Sequence, residues 1–211
     1  KTMKMKKIYL ACLSLLMTAG LVKVNAQAPI SYGVKAELNM SNFFLSDLDD
    51  YSSRMKVGPN LGGFMKIDLH ENFAIQPEVS FFYRTSKIKE EDSPNDKFKQ
   101  WGMAIPVYAI GQTELGNGRF YGGVGPFIGF GFDAKWKVEN GEKIDLYKKV
   151  DGDKEMKRWD FGFGALLGYE LSNKLQINAA YQVGVINQLD RLKDDAKVRS
   201  QAVSLGVGYR F

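Results

Sequence analysis

The chain has 211 residues, with 29 Lys+Arg against 24 Asp+Glu and a formal charge of +5. Lys1, Lys4, Lys6, Lys7 and Lys23 account for that excess, because residues 1–26 hold no other ionised group; the rest is formally neutral and gives no electrostatic ground for a nucleic-acid partner. One Cys (Cys12) and one His (His70) exclude disulfide frameworks, thiolate metal sites and multi-His centres, and no apolar run after residue 26 is long enough for a transmembrane helix.

Lys4, Lys6 and Lys7 precede a mostly apolar run, 8–22, and Val24-Asn25-Ala26 stands before Gln27. This is the pattern of a cleavable secretory signal peptide over 1–26, leaving a single domain over 27–211. The run is short for a membrane anchor. Acylation at Cys12 fits poorly with Tyr9-Leu10-Ala11 before it and the apolar run continuing past it.

From residue 30 the hydrophobic period is two. Ile30, Tyr32, Val34, Ala36, Leu38 and Met40 alternate with Ser31, Gly33, Lys35, Glu37 and Asn39, which predicts a strand with one apolar and one polar face. A long polar connection (41–56) leads to 57–68, where Asn60, Lys66 and Asp68 oppose Val57, Leu61, Met65 and Ile67. After a tight turn at 69–72, Phe73, Ile75, Pro77, Val79, Phe81 and Tyr83 alternate with Ala74, Gln76, Glu78, Ser80, Phe82 and Arg84. A long charged connection (86–99) precedes 103–110, which is apolar on both faces, so its register is open. A short connection (113–118) holds Gly116-Asn117-Gly118. The next strand, 120–136, sets Val124, Ile128, Phe130, Phe132 and Trp136 opposite a glycine-rich face.

The longest connection (137–158) follows. Then Trp159, Phe161, Phe163, Ala165, Leu167, Tyr169 and Leu171 alternate with Asp160, Gly162, Gly164, Leu166, Gly168 and Glu170. A tight turn (172–174) joins this strand to 175–185, where Leu175, Ile177, Ala179, Tyr181, Val183 and Val185 alternate with polar and small residues. After a long charged connection (188–197), Val203, Leu205, Val207, Tyr209 and Phe211 share one face of the last strand.

These segments make eight strands with alternately long and short connections. The expected fold is all-β: an eight-stranded antiparallel up-and-down transmembrane β-barrel with short periplasmic turns and long external loops. A soluble barrel would also alternate, with its apolar face inward. Two features favour the membrane form. Ionisable groups stand mid-strand on the polar face, which a dry core would rarely hold. Aromatics cluster where interfacial girdles belong: Tyr83, Trp101, Trp136 and Trp159 toward the external end, and Phe73, Phe120, Tyr169, Tyr209 and Phe211 toward the periplasmic end.

The lumenal charges, Lys35, Glu37, Lys66, Glu78, Arg84, Asp160, Glu170 and Arg210, are the candidate site. Eight strands leave an interior just wide enough for side chains, so a filled lumen with paired charges is expected before a conducting pore. No catalytic residue, cofactor or metal ligand is assigned. Glu78 with Glu37 or Asp160 lacks the cleft a glycosidase needs, and His70 reads as a turn residue. Gly123, Gly125, Gly129, Gly131, Gly162, Gly164 and Gly168 read as structural, letting large side chains such as Tyr121 or Phe127 lie across a neighbouring strand. Pro59, Pro77, Pro106 and Pro126 lack a ladder donor and predict bulges or ladder defects.

The expected partners are outer-membrane lipid, the barrel-assembly machinery through the last strand ending at Phe211, and an unidentified external ligand at the loops. Those loops hold Asp47, Asp49, Asp50, Glu90, Glu91, Asp92, Asp190, Asp194 and Asp195 among many lysines. The expected role is non-enzymatic, structural or loop-mediated. The alternative is a small pore or a component of an envelope secretion machinery.

Six stretches carry a family resemblance: YGVKAELNMSNF (32–43), FAIQPEVSF (73–81), Ile105-Pro106, GGVGPFIGFG (122–131), GALLGYEL (164–171) and the closing GVGYRF. Together they make residues 30–211 resemble the PorT-like small outer-membrane β-barrel proteins of Gram-negative bacteria, the outer membrane protein beta-barrel domain. The resemblance implies the fold and an outer-membrane location. One branch of that family is associated with a secretion machinery. The resemblance brings no catalytic motif with it.

Overall fold

The computed structural model describes residues 28–46, 52–90, 93–137, 143–147, 149–150, 153–154, 156–188 and 197–211. The expected leader, 1–26, and the loop residues Asp47, Asp49, Asp50, Glu91, Asp92, Asp190, Asp194 and Asp195 lie outside the described residues.

The alternating segments form β1 (Ile30–Ser46), β2 (Ser52–His70), β3 (Phe73–Glu90), β4 (Ser93–Leu115) and β5 (Gly118–Lys137). Three short pieces follow in the longest connection: β6 (Lys143–Asp145), β7 (Lys149–Val150) and β8 (Asp153–Lys154). Then come β9 (Trp159–Leu171), β10 (Leu175–Gly184) and β11 (Lys197–Arg210). The long strands pair antiparallel in the order β4-β3-β2-β1-β11-β10-β9-β5, and β5 pairs back to β4. The result is a closed eight-stranded barrel without an open sheet edge, the fold expected from the alternation.

Tight turns close one end. Gly116 sits at φ 61°, a conformation that side chains disfavour and that lets a two-residue turn follow the strand twist. Lys174 takes φ 67° in the turn between β9 and β10. His70 ends β2, and its Nδ1 accepts a hydrogen bond from the Asn72 amide at 3.3 Å.

At the opposite end the strands outrun the expectation. β1 continues to Ser46 and β2 begins at Ser52, while β3 reaches Glu90 and β4 begins at Ser93. Much of 41–56 and 86–99, expected as loop, is therefore paired strand. A bilayer span needs only about 9–11 residues of tilted strand. The pairing runs on past that length without an apolar alternation in the sequence to mark it.

The alternation sorts side chains into two environments. Leu38, Leu61, Phe163, Ile177 and Leu205 stand exposed on the outer face, and Val124 is 65% exposed. The intervening residues are buried in the lumen. On β4, whose register the sequence left open, Ala104, Pro106, Tyr108 and Ile110 point inward while Ile105 and Val107 point outward.

Among the described residues the ladders shift register at four places, Met55/Asn60, Asp68/His70, Ile88/Glu90 and Trp101/Gly102, and two of these bear on the expected faces. The pairing slips between Met55 and Asn60, a stretch that contains Pro59. Pro77, Pro106 and Pro126 instead interrupt the paired runs without moving the register. A second slip places Trp101 opposite Asp133 but Gly102 opposite Gly131, so Phe132 is the extra residue. The bulge inverts the side-chain order beyond it. Ala134 turns inward, and Trp136, expected in the outer girdle, packs instead against Phe98, Ala134, Leu146, Tyr147 and Met156.

Candidate functional site in the lumen

Inward-facing residues from the eight strands stack in three tiers. In the middle tier, Lys35 of β1 lies 3.0 Å from Glu37 and 2.5 Å from Glu78 of β3. Asn60 donates to Glu37 at 2.6 Å, and Gln76 donates to Glu78 at 2.9 Å. One ammonium thus sits between two buried carboxylates, each steadied by a side-chain amide. The arrangement leaves a net negative charge inside the barrel, offset by neighbouring donors.

Nearer the turns, Arg210 of β11 meets Glu170 of β9 in a two-point contact of 2.9 and 2.5 Å, and Gln176 donates to the same carboxylate at 2.7 Å. Paired N–H donors in a fixed fork make this the best-oriented ion pair of the lumen. Lys66 lies 3.9 Å from Asp68 and 5.7 Å from the centre of the Tyr121 ring. Gln112 donates to Asp68 at 3.0 Å. Beside this tier an open cleft of about 310 Å³ is lined by Glu114, Arg119, Glu170 and Arg210.

At the opposite end of the lumen, Arg84 lies 4.0 Å over the Phe82 ring. Asp160 accepts a hydrogen bond from the Ser200 hydroxyl. Among the described residues no ion pair joins Arg84 to Asp160, and Arg84 Nε and Asp160 Oδ1 have no protein hydrogen-bond partner. A cavity of about 10 Å³, the size of one water, is lined by both residues with Gln100, Gln188 and Ser200.

The charged residues picked from the sequence are therefore gathered into two linked clusters, Lys35-Glu37-Glu78 and Glu170-Arg210. Lys66 stands beside the second, and Arg84 and Asp160 stand apart from both. The sequence reading missed the apolar half of the lumen. Tyr108, Ile110, Tyr121, Leu166, Ala74 and Ala180 form one buried cluster. Tyr121 lies over Gly168, and Phe127 lies 2.6 Å from where a Cβ on Gly162 would stand. The signal was present as single large residues, Phe82 and Leu166, on faces otherwise polar or glycine-rich.

Part of the longest connection roofs the loop end. Leu146 donates its amide to the Ala134 carbonyl at 3.0 Å, and Met156 donates to the Leu146 carbonyl at 3.2 Å. The Tyr147 hydroxyl accepts from Gln100 at 2.8 Å, and the Arg158 guanidinium lies 4.6 Å over its ring. Burial holds the Tyr147 phenol above its ordinary pKa.

A continuous exposed apolar surface around a barrel with a charged interior exceeds what a water-soluble monomer carries and matches a hydrocarbon surround. The comparisons agree. The model of the family described as "Outer membrane protein beta-barrel domain" matches residues 10–211. Among solved structures, OprG of Pseudomonas aeruginosa superposes with a TM-score of 0.53 at 17% identity, covering 86% of this chain and 95% of that one. Neisserial surface protein A superposes with a TM-score of 0.49 at 16% identity, covering 86% of this chain and 97% of that one. At 17% identity the likeness to OprG concerns the fold. Among curated proteins none matches the sequence. On its closed eight-stranded barrel and the family match over residues 10–211, the chain belongs to the outer membrane protein beta-barrel domain family, and the protein is a small barrel of the cell outer membrane.

Proposed function

We propose that the protein is a non-enzymatic barrel whose lumen is sealed by its own side chains, and whose role is structural or carried by its external loops. The observation that carries this reading is the packing of the lumen. Tyr108, Ile110, Leu166, Glu78 and Lys66 are each no more than 2% exposed. They come from β4, β9, β3 and β2, so the seal extends around the barrel rather than along one wall. The Tyr147 roof adds a second closure.

Charge pairing supports the same reading. Lys35 is held by two carboxylates and Arg210 by one, with side-chain amides filling further acceptor positions. Such a network fixes the positions of its members, whereas an ion path needs groups that release what they bind. The reading includes export with cleavage after Ala26. It also includes recognition of the last strand by the assembly machinery, for which Phe211, 62% exposed and edge-on to Tyr209 at 5.8 Å, is the contact surface.

Planar-bilayer recording tests the proposal. Reconstituted protein should leave the membrane silent at voltages that do not disrupt it. Stable unitary current steps from pure, heat-modifiable protein would replace this reading with the small-pore alternative.

A further inference from the structure

Arg84 and Asp160, the two lumenal charges that join neither cluster, border one small cavity. Arg84 Nε and Asp160 Oδ1 are buried without a hydrogen-bond partner, and Gln188 Nε2 is a third such atom. Arg84 and Asp160 are each 8% exposed and Gln188 is 3% exposed. All three side chains line the cavity of about 10 Å³ at the loop end of the lumen. Other contacts hold two of them in place. The Arg84 guanidinium lies over the Phe82 ring, and the Ser200 hydroxyl donates to the second Asp160 oxygen. What remains is two N–H donors and one carboxylate acceptor on a common cavity.

Buried polar atoms are satisfied by protein or by ordered water in the great majority of cases, because an unmet group in a low dielectric is costly. Size and charge select the occupant. About 10 Å³ is room for one water and too little for an organic ligand. A halide would lie against Asp160, and a metal ion or an ammonium against Arg84. Like charges repel strongly where the dielectric is low. Water carries no net charge. It can accept from both N–H groups and donate to the carboxylate, which gives it the three hydrogen bonds usual for a buried water.

We propose that this cavity is a built site for one structural water, which accepts hydrogen bonds from Arg84 Nε and Gln188 Nε2 and donates one to Asp160 Oδ1. The water turns two separated charges into a bridged pair. Arg84 belongs to β3 and Asp160 to β9, strands that share no ladder, and Gln188 follows β10. The bridge therefore braces the loop end across the lumen, where Met156 and Arg158 of the roof also line the cavity. The inference goes beyond the sealed-lumen reading. A silent bilayer is compatible with a dry cavity, so the two tests can fail separately.

Deuteron magnetic relaxation dispersion on the folded barrel in detergent counts waters held for longer than the particle takes to tumble. Heat-modifiable mobility checks that each variant is folded. Gly129 lines the same cavity, and a Cβ there would stand 3.2 Å from the Asp160 Cβ. Gly129→Ala thus sets a methyl group at the cavity wall with every charge intact, and it should lose one long-lived water relative to the native protein. Arg84→Met with Asp160→Leu removes a donor and the acceptor instead of the space. It should lose the same water, because an apolar cavity stays dry, and it keeps the test valid should Gly129→Ala misfold. A crystal structure of the native protein should show one solvent peak within about 3 Å of all three atoms. An unchanged water count in both variants would overturn the proposal. So would a direct contact between Arg84 and Asp160, or an anomalous peak in the cavity of bromide-soaked crystals, which would make the site one for a halide.

Discussion

Lys35 on β1 and Glu78 on β3 meet at 2.5 Å across the intervening strand β2. The contact ties together strands that share no ladder, so it braces the barrel cross-section rather than one hairpin. Removing one member of a buried pair leaves an uncompensated charge, a loss of about 3–5 kcal/mol. Lys35→Met strands both Glu37 and Glu78 and should lower stability by that order, read as the unfolding midpoint in urea with mobility on unheated gels as the probe. Lys35→Met with Glu78→Gln should recover part of the loss. A double variant no better than Lys35→Met would mean that the pair is not what couples these strands.

Gly168 and Tyr121 face each other across the β5–β9 ladder, and a Cβ on Gly168 would stand 2.3 Å from both Cζ and Oη of Tyr121. Gly168→Val should therefore cost about 1–3 kcal/mol through overpacking. The cost should shrink when Tyr121 is cut back to Leu, giving a negative coupling in a double-mutant cycle. Additive effects would place the strain elsewhere, in the strand itself.

The strands were legible where one face is polar. β1 over 30–40, β9, β10 and β11 over 203–210 could be read residue by residue, because hydrocarbon outside and a polar lumen inside demand opposite chemistry from neighbours. Legibility failed for three physical reasons. Where the lumen is apolar, as at Ala104, Pro106, Tyr108 and Ile110 of β4, both faces ask for the same residues and the period disappears. Where the strands outrun the length a bilayer needs, as in 86–90 and 93–99, the pairing continues through a charged stretch with no alternation to announce it. At the Phe132 bulge one extra residue reverses the order, which sent Trp136 inward although its own position in the sequence was regular. The lumenal charges could be picked out, but their partners could not. Which carboxylate Lys35 meets depends on the stagger of β1, β2 and β3, a property of closure that no single strand encodes.

Leu205 tests the surround directly. It is 52% exposed and sits between Leu38 of β1 and Ala179 of β10 on the outer face. Leu205→Arg should cost about 2–4 kcal/mol in a bilayer if this height is the midplane. Leu205→Phe should stay within about 0.5 kcal/mol. Equilibrium unfolding from lipid vesicles measures both. An Arg substitution tolerated at no cost would place Leu205 in water.

The two closures of the lumen make separable predictions. Tyr147 roofs the loop end through Gln100 and the Arg158 guanidinium, whereas Tyr108, Tyr121 and Leu166 fill the mid-lumen. If the mid-lumen is the seal, Tyr147→Ala should loosen the roof and leave the bilayer silent, because the packed cluster beneath it is untouched. Tyr108→Ala, Tyr121→Ala and Leu166→Ala each remove side-chain volume from one buried cluster. Each should cost a few kcal/mol, about 2–5 by the usual range for large-to-small core changes, and the three together should admit water. Current steps should then appear in the triple variant alone, provided its unheated gel mobility shows a folded barrel. Their sign preference should favour cations, because the Lys35 group beside the new path keeps two carboxylates against one ammonium. Steps from Tyr147→Ala alone would move the seal to the roof.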